Sequence, residues 1–191
     1  GAADSKSGIF SCWVKTGVVP PGINDVLTGT TTLGGISARV EVLIDTLNRL
    51  QFTLRDAAGT TLCNQGTPAL SENSLYHILA SWDLNVTTFR LYVNDVSQSV
   101  NAVTNGTIDY TLADWAIGGL PSGNNKITAE LSELYFAPGQ YLDFSTESNR
   151  RKFVTADLRA EELGSGGATP TGTQPLVYQR RLPSGAASTF A

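Results

Sequence analysis

The chain has 191 residues, 41% of them apolar and only 16% charged, enough apolar side chain for a real core and too little charge for a disordered segment. Its 13 Lys and Arg are outnumbered by 17 Asp and Glu, for a net charge of −4, which argues against general nucleic-acid binding. No apolar run approaches the roughly 18 residues of a membrane span, and no charged-then-apolar leader precedes Ile9.

Residues 1–8 are small and polar and are expected to form a flexible N-terminal arm. Residues 10–14 alternate Phe10, Cys12 and Val14 against Ser11 and Trp13, a period of two that predicts a strand. Residues 17–35 are rich in Gly, Pro and Thr and read as loop with at most a short strand. Strands follow at 39–43 and 50–54, where Val40 and Val42, then Leu50, Phe52 and Leu54, share one face; residues 45–48 turn the chain between them. Residues 56–59 form a hairpin turn with Gly59 in its left-handed position, and 60–63 return as a strand. Cys12 and Cys63 lie in strand-like contexts and read as two buried thiols, with a disulfide as the alternative.

Residues 76–95 carry the strongest pattern. Tyr76, Ile78, Ala80 and Trp82 alternate with His77, Leu79, Ser81 and Asp83, and Phe89, Leu91 and Val93 line one face of a second strand. A polar link at 83–87 and the turn formers Asn94 and Asp95 make this an antiparallel hairpin with one buried face. Further strands are predicted at 97–103, 107–112, 115–119 and 128–136. One helix is predicted near 146–153: Ser145 can cap it, Glu147 occupies its first turn, Arg150, Arg151 and Lys152 its last, and Phe153 anchors it to the sheet. Residues 161–172 form a Gly- and Thr-rich loop, and 176–180 a last strand. Short strands spaced by turn signals, with almost no helical periodicity, indicate an all-β sandwich.

The hairpin resembles the laminin-G-like or concanavalin A-like lectin/glucanase jelly roll, whose pattern runs W-H-H-V-A-V-T-W-D, a short loop, then L-Y-V-N-G. Tyr76, His77, Ala80, Trp82, Asp83, Leu91, Tyr92, Val93 and Asn94 follow it, and Asp95 stands where Gly is usual. A second resemblance covers residues 133–143, 149–153, 163–164, 169–172 and 175–178, which look like the C-terminal half of uncharacterised jelly-roll proteins of phages and prophages. Together they imply an antiparallel jelly-roll β-sandwich over 9–178, with a C-terminal tail at 179–191, in a structural or adhesion protein on the surface of a virion. Other virion proteins or sister subunits are the implied partners. The tail, with Phe190 near its end, can add to a neighbour's sheet edge, giving a homo-oligomer, with a trimer as the specific expectation.

Catalytic patterns are scarce. Retaining glycosidases need carboxylates about 5 Å apart and inverting ones about 6.5 to 9.5 Å; Glu130 and Glu133 are three residues apart, which in a regular strand sends them to opposite faces. His77 is the only histidine, and no nucleophile elbow accompanies it. No enzymatic activity is therefore expected, with a degenerate glycoside hydrolase as the remote alternative. Carbohydrate binding is the nearer one: Trp115, beside the loop residues Asn124 and Asn125, is the best candidate for stacking on a cell-surface glycan. No motif demands a cofactor. The laminin-G resemblance implies calcium as the one to consider, with Asp25, Asp45 and Asp56 as loop ligands.

Overall fold

The computed structural model describes residues 2–18, 22–31 and 38–180. It is a two-sheet antiparallel sandwich. One sheet takes the order β11(Val177–Gln179), β10(Glu130–Pro138), β1(Ser7–Lys15), β6(Leu75–Asp83), β7(Thr88–Val93), β8(Val96–Ser97). The other runs β5(Thr61–Gly66), β4(Leu50–Arg55), β3(Ala38–Ile44), β2(Asn24–Thr30), β9(Asp114–Ile117). No helix among the described residues is long and apolar enough to cross a membrane.

The inward faces follow the alternation read from the sequence. Phe10, Cys12 and Val14 meet Val40, Val42, Leu50, Phe52, Leu54, Ile78, Ala80 and Trp82 between the sheets, with Phe10 and Phe52 packed edge to face at 5.3 Å. Cys12 and Cys63 are both buried and free; burial pushes the Cys63 thiol up to about 12 and raises Cys12 as well, so neither offers a thiolate near neutral pH.

Five expectations are corrected. Residues 4–8, read as a flexible arm, are held: Ser7 and Gly8 belong to β1, and Asp4 accepts from the Tyr110 and Thr111 amides at 2.8 and 3.0 Å. Within the Gly- and Thr-rich stretch lies β2, a fully buried seven-residue strand. Its Thr and Gly residues suit a sheet that is closely packed, since a Cβ at Gly29 would lie within 2.9 Å of the Trp115 ring. The strands expected at 97–103 and 107–112 are absent beyond β8. This segment shares its hydrogen bonds between the sheets, Thr104 N–H to Leu62 and Asp109 N–H to Arg55 on one side, Gln98 N–H to Leu91 and Ile108 N–H to Ser5 on the other. It closes the sandwich edge and joins neither ladder. The helix shrinks to a single turn, α1(Glu147–Arg150), and Thr146 rather than Ser145 is its N-cap position. Phe153 does anchor the segment, at 2% exposure. The tail expected at 179–191 begins in β11, and 181–191 lie outside the described residues.

The largest departure concerns the hairpin. Its outward residues His77, Leu79 and Ser81 are as buried as its inward ones, because residues 142–178 fold across the six-stranded sheet. Ile9, Leu79, Tyr92, Tyr135 and Ala137 of the sheet meet Phe144, Phe153, Leu163 and Tyr178 in a second apolar layer. Polar pins fasten it. Asp95 of the β7–β8 turn accepts from Arg150 at 2.5 Å and Arg151 at 2.6 Å, Arg150 lies 4.7 Å over the Tyr92 ring, and Asp143 pairs with Arg90.

Candidate functional site

A bulge in β10 shapes the surface most suited to binding. Tyr135 pairs with Ser11 and Ser132 with Trp13, so Glu133 and Leu134 together oppose Cys12. Glu133 takes a φ of 49°, in the left-handed region that costs a non-glycine residue about 1 kcal/mol or more. One inserted residue reverses the strand's parity. Leu134 and Phe136 still enter the core, while Glu130 and Ser132 emerge on the same side as Glu133. The expectation that Glu130 and Glu133 face apart holds only for a regular strand; the bulge puts both on one cleft.

That cleft has a volume of about 640 Å³, in the range of small-ligand sites. Trp13, Leu75, Leu131 and Leu158 give it apolar surface, and Lys15, Glu130, Glu133, Arg159, Gln179 and Arg180 give it polar groups. Lys15 is paired with Glu130 at 2.9 Å and Arg180 with Glu162 at 2.7 Å. The Tyr178 hydroxyl donates to Glu133 at 3.4 Å; burial, reinforced by the Glu133 charge, pushes that phenol up to about 12. The Gln179 side-chain oxygen is buried and accepts no hydrogen bond. Trp13, 8% exposed, backs onto His77 with ring centroids 4.9 Å apart.

His77 is itself sealed. Its Nε2 lies 3.0 Å from the Ser11 hydroxyl, but both residues are at most 3% exposed, so no substrate reaches them. Burial lowers the imidazole to about 4, against the opposing pull of Asp95; it is neutral at physiological pH and supports Trp13 from behind.

The residues singled out from the sequence are placed elsewhere. Trp115 pairs opposite Gly29 on the inner face of the five-stranded sheet. Its ring packs 5.5 Å from Phe136 and its indole N–H is buried without a partner, so it offers no stacking platform. Asn124 is exposed and bonds Ser122. Asn125 instead joins Asp25, whose amide donates to the Asn125 carbonyl at 3.0 Å. Asp45 is consumed by its own turn, accepting from the Leu47 and Arg49 amides and the Arg49 and Gln51 side chains, and Asp56 holds the Thr60 amide at the other end of β4. Both Asp25 side-chain oxygens are buried, as is the Thr28 hydroxyl, and burial raises the Asp25 carboxyl pKa against the opposing pull of the neighbouring Asn125 and Thr28 side chains. The three aspartates do not converge, and no group of three or more His, Cys, Asp or Glu suited to a metal occurs among the described residues. They do not fit a common calcium site.

Two antiparallel sheets joined into a jelly roll define the class, a lectin-like β-sandwich. The model of the family described as the concanavalin A-like lectin/glucanases superfamily, of laminin-G type, matches residues 4–138, and the chain belongs to that family. Among solved structures it is similar to a Bacteroides ovatus protein proposed to bind carbohydrate, at 14% identity over 100% of this chain and 50% of that one, with a TM-score of 0.64. It is also similar to the CBM40 domain of the Ruminococcus gnavus IT-sialidase, at 14% identity over 73% of this chain and 79% of that one, with a TM-score of 0.56. The chain spans only 21% of a Trypanosoma rangeli sialidase, covering 73% of its own length at 17% identity and a TM-score of 0.49. No curated protein sequence matches it.

Proposed function

We propose that this chain is a non-enzymatic carbohydrate-binding module whose sugar site is the cleft beside Trp13. The observation that carries the reading is the cleft's composition: apolar surface for a pyranose face, next to a carboxylate, a guanidinium and the Gln179 side chain, all lining one cavity. The fold class and the carbohydrate-binding role proposed for the Bacteroides ovatus protein support it. A glycan array followed by titration calorimetry tests it. Saturable binding to a defined sugar is expected to weaken at least tenfold in Trp13→Ala and in Gln179→Ala, the latter being the variant less able to disturb folding. Sugar binding that survives both would overturn the placement.

A second reading, hydrolysis, has one observation in its favour: Glu130 and Glu133 share the cleft. Glu130, however, is 77% exposed and tied to Lys15, whereas glycosidase chemistry places one carboxyl out of water beside the other. Reducing-sugar release abolished by Glu133→Gln would establish it. The setting proposed for the module is the surface of a phage-like particle, with virion proteins or sister subunits as partners, on the resemblance of residues 133–178. Detection of the chain by mass spectrometry in purified particles would test this.

A further inference from the structure

Resting on the cleft reading above, we infer that the ligand is an anionic glycan, a sugar carrying a carboxylate, with Arg159 as the residue that selects it. The protein is acidic, with a net charge of −4, yet three of its cations, Lys15, Arg159 and Arg180, line this one cleft. Two of them are already neutralised, by Glu130 and Glu162. Arg159 is exposed and forms no ion pair among the described residues. An unpaired guanidinium at the edge of a ligand-sized cavity presents a planar fork of donors matched to a carboxylate, and it meets that group without breaking an existing pair.

The other groups fit the sugar that would carry the charge. Gln179 lines the same cavity, while Glu133 accepts from hydroxyls and repels a second anion, so the carboxylate is directed to the Arg159 side. Arg159 is a specificity residue and takes part in no covalent step.

Matched pairs of probes test this by calorimetry: sialyllactose against lactose, and a glucuronic-acid disaccharide against its glucose counterpart. Tighter binding of the acidic member is expected, and the preference should fall as salt is raised. Arg159→Gln should cut affinity for the acidic probe about tenfold and leave the neutral one unchanged, the value of one charge-assisted contact. Arg159→Lys should restore part of the preference. Equal binding of both members, lost in Gln179→Ala, would overturn the anionic inference while leaving the cleft reading intact; no sugar binding at all would overturn both. Acidic-probe affinity matched by a polyglutamate peptide would show charge recognition without a sugar and overturn the inference as well.

Discussion

Across the middle of the six-stranded sheet the outward residues read Tyr178, Tyr135, Ser11, Leu79, Tyr92, strand by strand. Across the five-stranded sheet the matching row reads Ala116, Thr28, Glu41, Thr53, Asn64. The first row is aromatic because residues 142–178 cover it and make a second core; the second is small and polar and runs from buried Thr28 to exposed Asn64. Two sheets of one sandwich thus solve the outer-face problem in opposite ways. The titratable groups follow suit. On the covered face burial keeps His77 neutral, and Asp95 and Asp143 are held below the usual carboxylate range, Asp95 by hydrogen bonds from Arg151 and Arg150 and Asp143 by the Ser145 amide and the Arg90 charge. On the five-stranded face burial raises Asp25, and burial with the Asp25 charge raises Glu41.

The largest expected effect comes from acidifying the covered face. His77 titrates at about 4 in the folded chain against 6.5 when free, so as pH falls the unfolded state takes up the proton first. The stability involved is complete above pH 6.5 and drains away as pH drops toward 4, amounting to roughly 3 kcal/mol. Urea denaturation of the protein and of His77→Gln between neutral pH and about pH 4.5 should show a steep loss in the former and a shallower one in the latter. Equal slopes would mean that His77 is not the sealed neutral group the geometry describes.

Next in size is the clasp. Asp95 occupies a turn position where φ is 62° and where the related pattern has Gly, and it spends that strain on holding Arg150 and Arg151. Asp95→Ala is expected to cost about 2 kcal/mol, less than a fully buried pair because the site is partly solvated. Asp95→Gly should cost about 1 kcal/mol less than Asp95→Ala, since glycine relaxes the turn. Hydrogen exchange should report the damage within 140–178 and spare β3 and β4. Uniform loss across both sheets would erase the distinction between a core and its added cover.

The inner faces, the hairpin and the sandwich class were legible because alternation at Phe10–Cys12–Val14 and Ile78–Ala80–Trp82 records burial directly. The cover was not, since Phe144, Phe153 and Leu163 are isolated apolar residues in irregular chain with no period to read. Asp95 in place of Gly was its one visible trace. The cleft was hidden for a related reason: it depends on the Glu133 bulge, which no glycine announces, and it uses Trp13, whose alternation with Cys12 and Val14 made it look like any other strand residue. Trp115 misled because Asp114 and the following glycines suggest a surface strand, while the pairing of Trp115 with Gly29 turns the indole inward.

The smallest effect is also the one that separates the faces by sign. A carboxyl raised above its free value stabilises the fold only while protonated, so the contribution of Asp25 is present below pH 3.8 and lost as pH rises past its raised folded value. At neutral pH its buried charge opposes folding and also raises Glu41. Asp25→Asn keeps the shape and removes the charge, and should therefore stabilise the protein at pH 7 by about 1 kcal/mol, with the gain vanishing in acid. This is opposite to the response of the His77 face. Thermal melts of the variant across pH would show it. A destabilised Asp25→Asn, with a wild-type melting temperature that falls on adding chelator, would mean that the carboxylate serves a cation, and the five-stranded face would then be a second binding surface rather than a polar one.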